Sequence, residues 1–266
     1  MKRLLCPSLP RPGSPAQLSD AEARHALQVW RLRTGDPVIA MDAQGGIVEA
    51  SLRVAGERVF LDFMKNPEPA SAITLTAHSD PLPVILELAI LKGEAMEWVV
   101  EKAVELNISE LVPLITDHTV VQLDRKGPGA FQERWQRIAD QSLKQCGRLK
   151  RLNVAMPIRL QDHLTRTSSE GHATRLFCDE AERTETPHLM NWLQREWNPG
   201  TPVRLLIGPE GGWSQAERQA ILARPESGMP VKTVSLGPWV LRAETAALFG
   251  MSLTAGLIQS YSGTHT

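Results

Sequence analysis

The sequence predicts an α/β protein in which a small β-rich unit precedes a parallel sheet covered by helices on both faces. Three observations lead to this prediction. Short strand-like runs between turn signals fill residues 35–64, strand-like and helix-like segments alternate from residue 84 onward, and two Gly-Pro turns each follow an apolar run late in the chain. Alternating elements of this length are typical of a parallel sheet between helical layers.

The N-terminal unit is predicted from its turn residues. Residues 35–64 are divided by the sequences Gly-Asp-Pro, Gly-Gly and Gly-Glu, which favour turns between short strands. The following "KNPEPASA", residues 65–72, combines proline with small and polar residues, a composition that is typical of a linker. We therefore place the domain boundary near Pro69.

The second unit is predicted from hydrophobic periodicity and from residues that end helices. In its first helix, Ala95, Val99, Ala103 and Leu106 share one face, and Asn107 suits a left-handed helix end. The predicted order is strand 84–91, helix 92–107, strand 110–115, helix 130–146, strand Thr174–Cys178, helix 189–197, strand Val203–Ile207, a helix after Ser214, strand 232–236 and helix 245–259.

Composition excludes several classes of protein. With 42% hydrophobic and 22% charged residues the chain is ordinary for a soluble protein, and its apolar runs are too short to span a bilayer. The N-terminus lacks the apolar stretch of a signal peptide, so we expect a cytoplasmic protein without a membrane partner. The three cysteines form no CxxC pair, and no H-E-x-x-H motif or carboxylate cluster is present, so we predict neither disulfides nor a metal site.

The net charge of −1 hides a local excess of basic residues. Lysine and arginine outnumber acidic residues in residues 1–34 and again in residues 124–175. Two interpretations stay open from charge alone: a patch that binds nucleic acid, or a solvated surface without a partner.

The two Gly-Pro turns predict one ligand site. Ligands of open α/β sheets bind beyond the carboxyl ends of the strands, where both turns fall. Glycines in "IGPEGGWS" allow a ligand to approach the backbone, while Ser214 and Glu217 form a capping box for the next helix. The spacing fits neither a Walker A loop nor G-x-G-x-x-G. The alternative is a pair of tight turns that bind nothing.

At this point the sequence resembles the SPOUT RNA methyltransferases, specifically the RsmE-type enzymes that methylate uridine N3 in 16S ribosomal RNA. "IGPEGGWSQAE" and "LGPWVLRAETA" are similar to the two knot segments of that family. "LKGEAMEWVVEKAVELNISELVPL" and "RWQRIADQSLKQCGR" resemble its lysine-led and central helices, and "HALQVWRLRTGD" resembles a segment of its PUA-like barrel. The resemblance covers nearly the whole chain.

The resemblance implies a PUA-like β-barrel RNA-binding domain in residues 1–70 and a SPOUT domain with a C-terminal trefoil knot in residues 73–266. It implies S-adenosyl-L-methionine as the cofactor, 16S ribosomal RNA as the partner, within the small ribosomal subunit, and a homodimer. The cofactor is expected to be held by the backbone of the two turns: Leu206, Ile207, Gly208, Pro209, Glu210, Gly211, Gly212, Ser235, Leu236, Gly237, Val240 and Leu241.

By the same resemblance, Arg242 would orient the uracil and stabilise its anion, and Glu244 would assist proton loss. The alternative for Glu244 is an acid favoured by the helix dipole, and Glu210 is either a cofactor contact or a brace for its loop. Contacts to the RNA backbone are predicted for His25, Arg31, Arg33, Lys92, Lys102 and Arg148, with solvated or ion-paired side chains as the alternative.

Three positions depart from the family pattern. Trp239 stands where the family usually has arginine, Lys144 replaces an acid, and Asn107 replaces glycine. Two alternatives to the uridine-N3 enzyme stay open: a knotted RNA methyltransferase with a different base or RNA, and an RNA-binding member that has lost catalysis. The loss of a positive charge at Trp239 bears on the second of these. An indole at this position could stack on a base.

Overall fold

A computed structural model describes residues 1–9, 13–63, 68–69, 82–123, 127–168, 172–180, 186–223 and 228–262. The described residues form two compact units: unit 1 comprises those of Met1–Asp80 together with Asp140–Arg151, and unit 2 comprises those of Pro81–Ala139 and Leu152–Thr266. Of the predicted linker, only Glu68 and Pro69 belong to the described residues. The predicted domain ranges stay a prediction.

Unit 1 contains a six-stranded sheet in the order β1-β3-β4-β5-β2, with β6 paired to β4. The β1–β3 pair is parallel and the other pairs are antiparallel. The strands β3, β4 and β5 fall where the turn residues predicted them, whereas β1, β2 and α1 were not predicted. The bounds are β1 Lys2–Leu5, β2 Ala16–Gln17, α1 Asp20–Arg24, β3 Pro37–Met41, β4 Gly46–Ala55, β5 Arg58–Phe63 and β6 Glu68–Pro69.

The surroundings of Lys144 in unit 1 explain why a lysine is accommodated where the family pattern has an acid. Its ammonium is buried and lies 2.5 Å from a carboxylate oxygen of Glu22, which follows the N-cap Ser19 of α1. The same ammonium lies 5.9 Å from the centre of the Trp30 ring. Lys144 is therefore neutralised inside unit 1, where a carboxylate would repel Glu22.

Unit 2 contains a seven-stranded sheet in the order β10-β8-β7-β12-β11-β13, with β9 paired to β8. Every pair is parallel, which confirms the predicted parallel α/β sheet. The bounds are β7 Leu82–Ala89, α2 Glu94–Glu105, β8 Ile108–Ile115, α3 Gly127–Cys146 (which ends in unit 1), β9 Asn153–Val154, β10 Ile158–Arg159, α4 Leu160–Thr167, β11 Thr174–Cys178, α5 Leu189–Arg195, β12 Val203–Ile207, α6 Gln215–Leu222, β13 Val231–Val234 and α7 Ala243–Ser262.

The central strand β12 of this sheet is buried along its whole length. All five residues of β12 are buried, as expected for a strand between two helical layers. Asn107, after α2, has the predicted left-handed conformation with φ of 59°. No helix among the described residues is both long and apolar enough to cross a membrane.

A cluster of charged side chains is buried in the middle of the unit 2 sheet. Glu87 of β7 has no exposed surface and accepts hydrogen bonds from Arg175 of β11 at 2.6 and 2.9 Å and from Arg204 of β12 at 3.0 Å. His163 of α4 lies 2.8 Å from the same carboxylate, and Arg175 also donates to the Thr167 hydroxyl at 2.7 Å. This cluster connects three neighbouring strands and one helix.

Candidate functional site

A cavity of about 510 Å³ opens in unit 2, where β11, β12 and β13 end and α7 begins. Small-molecule sites usually occupy about 300–1,000 Å³. Both Gly-Pro turns contribute to this one cavity, as the sequence predicted. The lining residues are Ala95, Cys178, Asp179, Glu180, Ile207, Gly208, Pro209, Glu210, Gly212, Ser235, Leu236, Gly237, Trp239, Val240, Leu241, Arg242, Ala243, Glu244 and Ala246.

The first turn is shaped by glycines that no larger residue can replace without a shift. A Cβ atom on Gly208 would lie 2.8 Å from the indole of Trp213, a ring that is only 2% exposed and packs against Phe177. Gly212 has φ of +70°, its amide donates to the Pro209 carbonyl at 3.0 Å, and its own carbonyl lies 2.8 Å from His118 Nδ1. The backbone at this edge of the cavity is therefore bare and held in place.

The helix that follows begins with the predicted capping box. The Ser214 hydroxyl accepts from the Glu217 amide at 3.2 Å, and the Glu217 carboxylate accepts from the Ser214 amide at 2.9 Å. The second oxygen of Glu217 accepts from the amide of Asp117 at 2.9 Å. The cap thus fixes both the start of α6 and the loop after β8.

The second turn is held by Ser235. Its amide donates to the Pro187 carbonyl and its carbonyl accepts from the Leu189 amide, each at 2.9 Å. The Gly237 amide donates to the Ser235 hydroxyl at 3.1 Å, and Gly237 has φ of +124°, which only glycine adopts without strain. These contacts fix the second wall of the cavity.

Ten of the twelve predicted cofactor-binding residues line the cavity; Leu206 and Gly211 do not. Leu206 is completely buried in β12, while a Cβ on Gly211 would lie 3.1 Å from His118 Cβ. Glu210 lines the cavity and also accepts from the Lys92 amide at 3.1 Å. Both suggested roles of Glu210, ligand contact and loop brace, are therefore compatible with its position.

Two acidic lining residues, Asp179 and Glu180, were not predicted from the sequence. They follow β11, which ends at the same edge of the sheet as β12 and β13. Arg218 of α6 donates to Asp179 at 3.1 Å and to Glu180 at 2.5 Å. The sequence feature that could have identified them is the pair of acidic residues directly after the apolar run "TRLFC".

Cys178, the last residue of β11, also lines the cavity. Burial raises the pKa of its thiol to about 12. The thiol is therefore neutral near pH 7, and a role as a nucleophile is not supported.

The two predicted catalytic residues lie together at the start of α7. Arg242 is exposed and Glu244 is half-buried, and both side chains line the cavity. The Arg242 carbonyl accepts the Ala246 amide at 2.8 Å, so the backbone at Arg242 opens the helix. Neither side chain has an ion pair with another described residue, which leaves both charges available to a ligand.

The six predicted RNA contacts are divided between the two units. Unit 1 carries His25, Arg31 and Arg33, of which the arginines are exposed, as well as Arg148. Arg148 donates to the Lys150 carbonyl at 2.6 Å, and burial lowers its pKa to about 10, so this guanidinium stabilises its own loop.

Unit 2 carries Lys92 and Lys102. Lys92 is exposed, whereas Lys102 is paired with Glu105 at 2.8 Å. Lys102 therefore matches the alternative of an ion-paired surface residue. The ammonium of Lys92 is more available for an RNA contact than that of Lys102.

The chain is similar to a family of RNA methyltransferase domains and to individual methyltransferases of known sequence or structure. The family described as RNA methyltransferase domain matches residues 78–255. The ribosomal RNA small subunit methyltransferase E of a Synechocystis species is 28% identical over 91% of this chain and 73% of its own length. A Legionella pneumophila methyltransferase with bound cofactor has a TM-score of 0.78 at 28% identity, with 96% of each chain covered. A methyltransferase E from Neisseria gonorrhoeae, bound to S-adenosyl methionine, has a TM-score of 0.76 at 26% identity, covering 97% of this chain and 98% of its own.

Proposed function

The chain belongs to the RNA methyltransferase family, and from this premise we propose that it transfers a methyl group from S-adenosylmethionine to N3 of a uridine in 16S ribosomal RNA. The observation that carries the proposal is the cavity in which both glycine turns, Arg242 and Glu244 meet. The named relatives act on the RNA of the small ribosomal subunit.

The residues of the cavity fit S-adenosylmethionine. Glycine backbone lies open on one wall, and the described lining residues include four carboxylates, of Asp179, Glu180, Glu210 and Glu244, against one guanidinium, that of Arg242. Arg218 offsets part of this negative charge from outside the cavity. The remaining acidic character suits a ligand with a sulfonium and an ammonium group, because opposite charges attract most strongly where water is excluded. When bound, this cofactor supplies an electrophilic methyl group.

The side chains at the mouth would prepare the uracil. N3 of uracil carries a weakly acidic hydrogen, which must leave for the nitrogen to become nucleophilic. The Glu244 carboxylate would accept this proton, and the Arg242 guanidinium would stabilise the negative charge that then develops on O2 and O4. The turns would supply alignment, since an in-line transfer depends mainly on orientation.

Further features of the family belong to the same proposal. The β-rich unit 1 with exposed Arg31 and Arg33 is consistent with a PUA-like domain that contacts the RNA backbone. The placement of β12 between β7 and β11 is compatible with a trefoil knot, and the apolar α7 is compatible with a homodimer interface. We also propose that the immediate substrate is the small ribosomal subunit and that the protein is cytoplasmic.

Reverse transcription tests the proposed target base. Ribosomal RNA from cells with and without the gene is compared, because an N3 methyl group blocks the Watson–Crick edge and stops the polymerase. We expect one stop in the decoding region of 16S RNA that disappears without the gene. An unchanged stop pattern would refute the uridine N3 assignment, and methylation of another base would then be sought in the same RNA.

Gly208→Ala is expected to weaken S-adenosylmethionine binding at least tenfold, about 1.4 kcal/mol. The new methyl group would collide with the buried Trp213 indole, so that the loop must move away from its place in the cavity. Isothermal titration calorimetry measures the change. The control is Gly129→Ala, since no atom lies within 4 Å of a Cβ at that position. Equal affinities of the two variants would contradict the role of this loop, and no binding to the wild type would refute the methyltransferase proposal itself.

A further inference from the structure

Trp239 is the most exposed large apolar side chain in the described part of the protein, with 79% of its surface accessible. The next residue, Val240, is 65% exposed. A tryptophan in water contributes no burial energy to folding, and exposed apolar side chains are informative where they lie together at a ligand-binding groove, as these two do. The position of Trp239 therefore calls for an occupant.

The surroundings of Trp239 indicate which occupant this is. Trp239 and Val240 line the same cavity as Arg242 and Glu244, three and five residues after the indole. No other ring or cation among the described residues stacks on Trp239. An exposed indole in the same cavity as a guanidinium is suited to a planar, hydrogen-bonding group, and uracil is such a group.

Resting on the proposed function, we propose that Trp239 is the stacking platform for the target uracil. A base inside a helix presents N3 to its pairing partner, so the base must leave the stack before N3 can be methylated. Stacking on the indole replaces the lost base–base contact, and the Arg242 guanidinium then reaches the edge of the ring. The sequence pattern of the family has arginine at this position, so the platform is a property of this chain.

Kinetics with 16S ribosomal RNA and with isolated small subunits test the platform. Base–aromatic stacking contributes enough that Trp239→Ala is expected to raise KM for RNA about tenfold or more, with a smaller change in kcat. Trp239→Phe retains a stacking ring and should stay within about threefold of the wild type. Because Trp239 also lines the cavity proposed for the cofactor, S-adenosylmethionine affinity is measured for both variants and should change much less than KM for RNA. A loss of cofactor affinity in Trp239→Ala as large as the rise in KM would assign the indole to the cofactor and overturn the platform.

Fluorescence supplies a readout that does not depend on turnover. Base stacking quenches indole emission, so RNA should quench the wild type more than Trp239→Phe, the difference arising from one of the seven tryptophans.

Two further outcomes would overturn the platform. One is an unchanged KM and unchanged quenching in Trp239→Ala. The other is a loss of dimer mass in light scattering for Trp239→Ala, which would assign the indole to a contact between two copies of the chain. A wild type that binds S-adenosylmethionine but methylates no RNA would refute the proposed function, whereas an active wild type with an equally active Trp239→Ala refutes the platform alone.

Discussion

Glu87→Gln is expected to lower the free energy of unfolding by about 3–5 kcal/mol. The carboxylate is fully buried and neutralises Arg175 and Arg204, whose side chains are 3% and 7% exposed. Without it, two guanidinium groups remain buried with no counter-charge from Glu87, and such charges are costly to keep out of water. Because glutamine has nearly the same volume as glutamate, the packing is kept, and the lost stability measures the effect of removing the negative charge.

Urea unfolding followed by circular dichroism measures this loss. The matched control is Glu105→Gln, which removes one partner of the exposed pair between Glu105 and Lys102. Exposed pairs of this kind contribute about 0–1 kcal/mol, so this variant should unfold close to the wild type. His163→Gln preserves a hydrogen-bond donor to Glu87. Its free energy of unfolding should therefore lie between those of Glu87→Gln and Glu105→Gln. A Glu87→Gln variant as stable as Glu105→Gln would show that the buried cluster does not hold the sheet together.

The same carboxylate predicts how stability depends on pH. Burial alone would raise the pKa of Glu87, but hydrogen bonds and charge from His163 and Arg175 outweigh burial and hold this pKa well below the ordinary value of 4.5. A lowered pKa in the folded state contributes stability above the unfolded pKa, and this contribution is lost as pH falls through the folded pKa. We expect the wild type to lose stability below about pH 4.5 more steeply than Glu87→Gln. Parallel acid titrations of the two proteins would contradict this assignment.

The parts of the fold that follow local rules could be predicted from the sequence. The strands β11 and β12 begin and end where their apolar runs do, because turn residues bound each run on both sides. The helix α6 begins after Ser214 because the capping box is a contact over three residues. In contrast, α4 has eight mainly polar residues, too few for an apolar period to be recognised.

The features that depend on strand order could not be predicted in this way. Glu87 interrupts an apolar run, and its partners Arg175 and Arg204 lie 88 and 117 residues further along the chain. Periodicity predicts which residues form a strand but not which strands become neighbours. Asp179 and Glu180 join the cavity only because β11 lies between β12 and β13. The glycine turns were recognisable because their backbone requirements are local.

Arg242→Ala is expected to reduce kcat for RNA methylation about 10²–10³-fold and to leave S-adenosylmethionine affinity within about threefold of the wild type. The reason is that Arg242 lines the cavity, is exposed, and has no ion pair to another described residue, so its charge is available to the uracil anion that forms in the reaction. An interaction that is strong only in the transition state affects kcat more than binding. Arg242→Lys should recover part of the rate, because it restores the charge without the planar fork.

Single-turnover methylation with tritiated S-adenosylmethionine measures the rate, and calorimetry measures cofactor affinity. The matched control is Arg195→Ala, an exposed arginine in the last turn of α5 outside the residues that line the cavity. Glu244→Gln distinguishes the two interpretations of Glu244. If Glu244 acts only through the helix dipole, the free energy of unfolding changes by about 0.3–1 kcal/mol and the pH profile of kcat stays the same. If Glu244 accepts the proton, the variant loses the acidic limb of that pH profile. If Arg242→Ala loses affinity for the cofactor and not kcat, Arg242 is a ligand of the cofactor, and the uracil anion must be stabilised by another group.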